Sequence, residues 1–302
     1  MDLNDCTLCP RNCHVDRAAG QTGYCGQTSE LKAARASLHM WEEPCITGQT
    51  GSGTVFFSGC NLNCVYCQNH MISKGTLGKI ITTKRLVQIY LELQEKNACN
   101  INLVTPTHFL PQIKESLEIA KKEGLHIPIV YNTSSYEKPE TLRMLDGLID
   151  IYLPDFKYFS SDLSLRYSFA EDYFKYACAS LAEMVRQTGT AQFTSSQEAC
   201  MKKGVIVRHL VLPGCVDDSK NILRYLHETY KNDIYVSIMN QYTPIPAYLN
   251  TSLYPELNRT LSPKSYERVI DYAISLGIEN GFIQEDDVAS ESFIPQFDYF
   301  GI

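Results

Sequence analysis

Short β-rich runs alternate with amphipathic stretches along most of this 302-residue chain. The six runs span residues 54–59, 101–107, 127–134, 150–157, 204–214 and 234–242. Strands separated by helix-length segments predict repeated βα units and a parallel sheet. Because six units fall short of the eight that close a TIM barrel, we predict an α/β fold, a partial, open (β/α)6 barrel. A doubly wound sheet is the alternative.

The segments between these runs carry helical periodicity. Apolar residues recur at helical spacing at Leu86, Ile89, Tyr90 and Leu93, and again at Ile270, Ala273 and Ile274. Ser262 and Pro263 precede the second set as an N-cap and a first-turn proline. A long helix is expected near residues 167–187, followed by a Thr/Ser/Gln-rich loop.

The N-terminal region differs in texture from the rest of the chain. Residues 1–50 are rich in Cys, Gly, Thr and Asn, with little periodicity beyond a predicted helix at 30–41. We therefore predict two units. The first, residues 1–50, is a small Cys-rich metal-binding extension, and the second, residues 51–302, is the partial barrel with a C-terminal segment.

The charge balance and the lack of a long apolar run argue against nucleic acid and membranes as partners. The chain has 27 Lys and Arg against 34 Asp and Glu, a net charge of -7, which repels a phosphate backbone. No run approaches the roughly 18 apolar residues of a membrane span. We expect a cytoplasmic protein that binds neither nucleic acid nor membrane.

Twelve cysteines in a chain of this size, clustered at short spacings, indicate metal binding in a reducing compartment rather than disulfides. Four cysteines lie outside the two clusters and downstream of them: Cys99, Cys178, Cys200 and Cys215. We expect these four to be buried small hydrophobic residues.

The second cysteine cluster directly follows the first predicted strand. Cys60, Cys64 and Cys67 have the spacing C-x3-C-x2-C. In a TIM-like fold the C-terminal ends of the strands carry the active site. A structural zinc or an electron-transfer [4Fe-4S] cluster takes four protein ligands, so three cysteines on a cubane leave one iron open to a substrate or cofactor. The alternatives are a zinc site with a distant fourth ligand such as Cys45, and three unrelated core cysteines.

This loop resembles the hallmark of the radical S-adenosylmethionine (SAM) superfamily, C-x3-C-x-aromatic-C, with Tyr66 in the aromatic place. The stretches GSGTVFFSGCNLNCVYCQN, DIYLPDFKY, GVIVRHLVLPG, VSIMNQYTP and ESFIPQFDYFGI together resemble the pyruvate formate-lyase activating enzyme-like subgroup, in its longer branch with a Cys-rich N-terminal extension. The resemblance implies a radical SAM barrel in residues 51–302. It also implies a [4Fe-4S] cluster whose open iron binds SAM, and reductive cleavage of SAM to a 5'-deoxyadenosyl radical.

The resemblance also implies SAM contacts, with one departure. Activating enzymes carry a Gly-Gly-Glu element after the second strand, where this chain has Val104-Thr105-Pro106-Thr107-His108. Thr105 and Thr107 are the candidate substitutes. The later strand ends supply the other candidates for binding SAM or substrate: Asn132, Asp155, Lys157, Arg208 and Gln241.

Strand geometry adds two expectations about these side chains. Asp155 and Lys157 are two apart and point to the same face, so they are placed to form an ion pair. Arg208, which matches the arginine that contacts the SAM carboxylate in relatives, and His209 are neighbours on a strand, so at most one of them points inward.

The first cysteine cluster is Cys6, Cys9, Cys13 and Cys25, four thiols within twenty residues. Four ligands close a tetrahedral site, and a segment with so few apolar residues needs a staple to fold. A structural zinc and an auxiliary iron-sulfur cluster are both open, and absence of metal is the third interpretation. Cys45 fits neither cluster.

Two hypotheses about function follow. The first is a radical SAM enzyme whose adenosyl radical abstracts hydrogen from a substrate. If the subgroup's activity holds, that substrate is a glycine of a partner glycyl radical enzyme, and flavodoxin or ferredoxin is the reductant. The alternative is an iron-sulfur or zinc protein that transfers electrons or binds a partner without SAM chemistry.

Overall fold

The computed structural model describes residues 3–194, 200–284 and 295–302. Its strands are β1 (Lys32–His39), β2 (Ser52–Phe57), β3 (Lys79–Ile80), β4 (Ile101–Val104), β5 (Ile129–Thr133), β6 (Ile151–Pro154), β7 (Gln192–Phe193), β8 (Met201–Leu210), β9 (Tyr235–Met239) and β10 (Gly281–Ile283). All six predicted strands are present, as β2, β4, β5, β6, β8 and β9. The sequence analysis missed β1, β3, β7 and β10.

The helices lie between these strands. They are α1 (Pro44–Thr47), α2 (His70–Ser73), α3 (Thr83–Glu95), α4 (Leu110–Lys122), α5 (Pro139–Leu142), α6 (Ser161–Ser168), α7 (Tyr173–Thr188), α8 (Val216–Tyr230) and α9 (Pro263–Leu276). Short 3-10 turns occupy Thr107–Phe109, Arg143–Leu145 and Pro255–Leu257. None of the helices in the described ranges is both long and apolar enough to cross a bilayer.

The strand order decides between the two predicted architectures. The sheet runs β10-β9-β8-β6-β5-β4-β2-β1-β3, and the strands from β2 to β10 on this path pair in parallel. Each parallel strand lies beside its predecessor without the reversal that defines a doubly wound sheet. The fold is therefore a partial, open radical SAM-type barrel, as predicted.

The predicted helix at residues 30–41 is wrong, because this segment forms β1. It pairs antiparallel with β2, with Ala36 opposite Val55. On its other edge the backbone N–H of Ala36 donates to the carbonyl of Phe300. Three alanines favour a helix locally, but pairing on both edges satisfies the backbone of an extended strand. This strand of the N-terminal unit is thus part of the barrel sheet.

Two further predicted helices are present. The long helix predicted at 167–187 is α7, which begins only at Tyr173, because α6 ends before it with Phe169 in the left-handed conformation at φ +52°. Helix α9 begins as predicted, with the Ser262 hydroxyl accepting from the backbone N–H of Ser265. Its Ile274, however, is 68% exposed.

Residues 195–199 of the predicted loop and 291–294 of the terminal stretch lie outside the described residues.

Helix α1 closes one end of the barrel interior. Its Cys45 and Ile46 pack against inward-facing residues of the central strands, Val130, Ile151 and Ile206 among them. The side chain of Asn100, which precedes β4, donates to the carbonyl of Ile46 at 2.7 Å, so α1 lies at the N-terminal ends of the strands. The interior is consequently open at the C-terminal ends.

Candidate active site

A cavity of about 220 Å³ lies at the C-terminal ends of the parallel strands. Cys60, Cys64 and Cys67 all line it, together with Tyr66 from the same loop. Gly59 allows the chain to leave β2 toward this cavity. Its φ is +88°, and a Cβ there would lie 2.5 Å from the carbonyl of Cys25. The strand order therefore brings the three-cysteine loop to the barrel mouth.

A network of ion pairs and hydrogen bonds forms another part of the cavity wall. Arg208 Nε donates to Asp155 Oδ1 at 2.8 Å, and Lys157 Nζ donates to Asp155 Oδ2 at 2.8 Å. Arg208 Nη2 donates to Asn132 Oδ1 at 2.7 Å. Burial would raise the pKa of Asp155, but Arg208 and then Lys157 lower it. All four side chains line the cavity, so three predicted strand ends converge on one site.

Glu42 belongs to this network and was missed by the sequence analysis. Its Oε2 accepts from Arg208 Nη1 at 3.0 Å, and its Oε1 accepts from Asn102 Nδ2 at 2.9 Å. Burial raises the pKa of Glu42, while Arg208 opposes that shift. The neighbouring Glu43 is buried, and its Oε2 has no hydrogen-bond partner among the residues that the structure describes. Glu42 and Asp155 are the carboxylates that line the cavity in the described part of the chain.

The radical SAM superfamily matches residues 54–226, more than half of the chain. The chain belongs to the radical SAM superfamily. It is 28% identical over 281 residues to MJ0674 of Methanocaldococcus jannaschii, an uncharacterized protein, and the match covers 90% of this chain and 75% of that protein.

Solved structures share the fold of this radical SAM chain. SuiB of Streptococcus suis bound to the precursor peptide SuiA has a TM-score of 0.52 at 14% identity, with 76% of this chain and 47% of that chain covered. SuiB bound to S-adenosylmethionine has a TM-score of 0.52 at 15% identity, with 77% and 52% covered. The chain thus spans about half the length of each SuiB chain.

Membership of the radical SAM superfamily implies a [4Fe-4S] cluster and SAM, and the cysteine loop fits a cluster. Burial raises the pKa of Cys60 and Cys67, the latter to about 12, with smaller contributions from neighbouring thiols. All three cavity cysteines are half-buried, and thiols of raised pKa become stable thiolates when the iron of a cluster binds them. The backbone N–H of Leu62 donates to Cys60 Sγ at 3.4 Å, and the Ser168 hydroxyl donates to Cys64 Sγ at 3.1 Å.

The alternative zinc site with Cys45 as fourth ligand does not fit. Cys45 lies on α1 in the apolar cluster at the closed end of the barrel, away from the cavity. Across the described residues, no group of three or more His, Cys, Asp and Glu side chains is arranged to hold one metal ion. The cysteines of a cubane each bind a different iron, so they need not converge on one point.

The remaining candidate SAM contacts divide into two groups. Thr105, held at φ +57°, and Gln241 line the cavity. Thr107 does not line it. Its hydroxyl donates to the buried Glu137 at 2.6 Å. Thr133 lines the cavity, but its hydroxyl also bonds to Glu137. Thr105 is therefore the better placed of the two predicted threonines.

The extension cysteines lie near one another. Burial raises the pKa of Cys9 to about 12, and Cys25 and Cys13 contribute to the same shift. Cys6 and Cys13 contribute to the raised pKa of Cys25. Among the described residues, these four thiols are not arranged to hold a single metal ion either. The metal of the extension stays a prediction, with zinc, iron-sulfur and no metal all open.

The cysteines outside the two clusters only partly match expectation. Cys215 is buried, but Cys99, Cys178 and Cys200 are half-buried. Cys99 and Cys200 come together at α1, where a Cβ on Gly48 would lie 2.6 and 2.8 Å from their sulfurs. Tertiary packing at the closed end of the barrel brings these thiols together, which spacing in sequence does not indicate.

His209 points away from the cavity, in contrast to Arg208. Its Nδ1 lies 2.7 Å from the carbonyl of Phe156 and its Nε2 lies 2.8 Å from the hydroxyl of Ser219 on α8. Burial lowers the pKa of His209 from 6.5 to about 4. Between these pH values the unfolded chain binds a proton that the folded chain does not.

Stability is therefore expected to depend on pH through His209. The free energy of unfolding of the metal-free chain should fall as pH drops from 6.5 toward 4, by up to about 1.4 kcal/mol per pH unit for this group. His209→Gln removes the titration and should give a shallower slope in denaturant titrations. His126→Gln, at an exposed position, is the control. Equal slopes for wild type and His209→Gln would contradict this prediction.

Proposed function

We propose that this chain cleaves SAM reductively and uses the resulting 5'-deoxyadenosyl radical to abstract hydrogen from a substrate held over the barrel mouth. The observation that carries this proposal is the cavity itself. Three cysteines from one loop line it, and the hydrogen-bonded side chains of Arg208, Asp155 and Lys157 line the same cavity. A cluster bound by only these thiols would have one iron without a protein ligand, and the cavity offers space for a small molecule beside the loop.

Each side chain has a separate role in this proposal. Cys60, Cys64 and Cys67 hold the cluster, which when bound supplies the electron that breaks the carbon–sulfur bond of SAM. The guanidinium of Arg208 suits a carboxylate such as that of SAM. Asp155 keeps Arg208 and Lys157 charged and oriented.

Tyr66 belongs to the cluster loop and packs among other tyrosines. Its ring contacts Tyr158, Tyr167 and Tyr242 edge to face, and its hydroxyl accepts from that of Tyr158 at 2.8 Å. These rings exclude water from one side of the loop. The wall carries two carboxylates, Glu42 and Asp155, beside two cations, Arg208 and Lys157, so it offers groups of both signs to the ammonium and the carboxylate of SAM.

For the substrate, we propose a polypeptide, in line with the resemblance to activating enzymes. The specific form is a backbone glycine of a glycyl radical enzyme, with flavodoxin or ferredoxin as the electron donor. The likeness to SuiB, a protein solved with a precursor peptide, is compatible with a peptide substrate. Because that likeness is one of fold, the sequence resemblance remains the main support.

The test is anaerobic reconstitution with iron and sulfide, reduction with dithionite, and measurement of 5'-deoxyadenosine after SAM is added. We expect 5'-deoxyadenosine to form, and the electron paramagnetic resonance (EPR) signal of the reduced cluster to change when SAM binds. A reduced cluster that ignores SAM and yields no 5'-deoxyadenosine would instead support the electron-transfer or binding alternative. The polypeptide substrate is tested separately, by a glycyl radical signal in a co-expressed partner enzyme.

A further inference from the structure

Arg11 lies between two cysteines of the extension, Cys9 and Cys13, yet its side-chain hydrogen bonds are with the barrel. Its guanidinium carbon is 3.7 Å from the centre of the Tyr24 ring and 5.1 Å from that of Tyr136. The side chain is half-buried between these two rings. Stacking on aromatic faces fixes the plane of a guanidinium and so the directions of its N–H groups.

Those N–H groups point into the cluster loop. Arg11 Nε donates to the carbonyl of Asn61 at 2.8 Å, and Nη2 lies 3.4 Å from the carbonyl of Leu62. Asn61 and Leu62 directly follow Cys60 in the sequence, and only Asn63 separates them from Cys64. One side chain of the extension therefore fixes the backbone that separates two of the three cavity cysteines.

The same guanidinium also holds the end of α6. Nη2 donates to the carbonyl of Ser168 at 2.9 Å, and Nη1 donates to the carbonyl of Phe169. Phe169 has the left-handed φ of +52°, which is uncommon for a bulky residue. The hydroxyl of Ser168 is the group that donates to Cys64 Sγ. Arg11 thus fixes both the loop before Cys64 and the helix end that hydrogen-bonds to its sulfur.

A second residue of the extension contacts the same loop. Tyr24, next to Cys25, places its hydroxyl 3.5 Å from the carbonyl of Leu62. In return, the side-chain amide of Asn63 donates to the carbonyl of Tyr24 at 3.3 Å. In the sequence, Arg11 lies between Cys9 and Cys13, and Tyr24 directly precedes Cys25.

We infer that Arg11 is a positioning residue for the cluster loop, and that the extension thiols act on the cavity cluster through it. This inference rests on the proposed function only in assigning a cluster to Cys60, Cys64 and Cys67. In this inference the four extension cysteines hold the extension in shape, the extension presents Arg11 to the loop, and Arg11 keeps the loop in the conformation that retains iron. Loss of the four-thiol site in the extension would then loosen the neighbouring cluster on Cys60, Cys64 and Cys67, although the ligands of that cluster are intact.

The test is the rate at which a chelator removes iron from the anaerobically reconstituted full-length chain. Arg11→Met keeps an apolar stem between the tyrosine rings but removes all the donors. We expect iron bound by the cavity cysteines to be lost about tenfold or more faster, because hydrogen bonds from a charged donor contribute about 1.5 to 3 kcal/mol. Arg11→Lys, which keeps the charge but not the planar fork, should show an intermediate rate.

Controls separate positioning from a general loss of structure. Arg143→Met removes a more exposed arginine and should release iron at the wild-type rate. A chain with Cys60, Cys64 and Cys67 all changed to alanine reports metal held by the extension alone, and Arg11→Met should not affect that metal. Cys9→Ser should accelerate iron loss from the cavity site as Arg11→Met does.

Equal iron-release rates for wild type, Arg11→Lys and Arg11→Met would overturn the inference, as would a wild-type rate in Cys9→Ser. If circular dichroism shows that Arg11→Met is unfolded, the Arg11→Lys rate decides alone. Iron release is measured without SAM. A chain that holds its cluster in an Arg11-dependent way but never cleaves SAM would refute the proposed function and leave this inference intact.

Discussion

Replacing Cys64 with alanine is expected to abolish 5'-deoxyadenosine formation. Cys64 lines the cavity together with Cys60 and Cys67, and its sulfur accepts a hydrogen bond from the Ser168 hydroxyl. Two remaining thiols cannot retain a cubane with one open iron. Loss of a residue that merely supports a metal ligand costs about 10 to 100-fold, so loss of the ligand itself should exceed the upper figure. The measurement is 5'-deoxyadenosine per chain after dithionite reduction, together with iron content.

A matched thiol variant gives the control. Cys178 on α7 is half-buried and lies outside both cysteine clusters, so Cys178→Ala should keep wild-type iron content and product formation. If Cys64→Ala made as much 5'-deoxyadenosine as Cys178→Ala, the three-cysteine loop would not hold the reactive cluster. The proposal would then fail at its first step.

The strands of the barrel could be predicted because both faces of a parallel sheet are covered. Strands β4, β5 and β6 are buried at every position, and such strands read as continuous apolar runs. Strand β1 could not be predicted in the same way. Its alanines favour a helix, and only pairing with β2 and with the C-terminal residues makes it a strand.

The residues of the site likewise differ in whether a local sequence pattern predicts them. The cysteine loop is visible in sequence because its three members lie within eight residues. Glu42 is not, because its partner Arg208 is 166 residues away and no local pattern connects them. The surroundings of the Thr107 hydroxyl could not be predicted from the sequence either, because it donates to the buried Glu137, which lies in the turn after β5. Contacts between distant segments depend on strand order, which the sequence pattern left open.

Replacing Arg208 with methionine is expected to destabilise the folded chain strongly. Arg208 makes hydrogen bonds to Asp155, Glu42 and Asn132 at 2.7 to 3.0 Å, in a network with little exposure to water. Methionine keeps much of the apolar stem but leaves the half-buried carboxylates of Asp155 and Glu42 without this cation. Removing one member of a fully buried ion pair costs about 3 to 5 kcal/mol, so we expect a loss of about 3 kcal/mol, the lower end of that range, for this half-buried network. The measurement is the free energy of unfolding of the metal-free, reduced chain in denaturant.

Loss of charge and loss of packing at Arg208 predict different effects of a second substitution, at Glu42. Lys157 still pairs with Asp155 in the variant, so Glu42 is the carboxylate left without a cation. Adding Glu42→Gln to Arg208→Met should therefore recover part of the lost stability, although Glu42→Gln alone is expected to destabilise the wild-type chain. Arg166→Met, which breaks a surface pair with Glu256, should have a much smaller effect. If the double variant were less stable than Arg208→Met alone, the loss would come from packing, and the buried charges would not govern the stability of this wall.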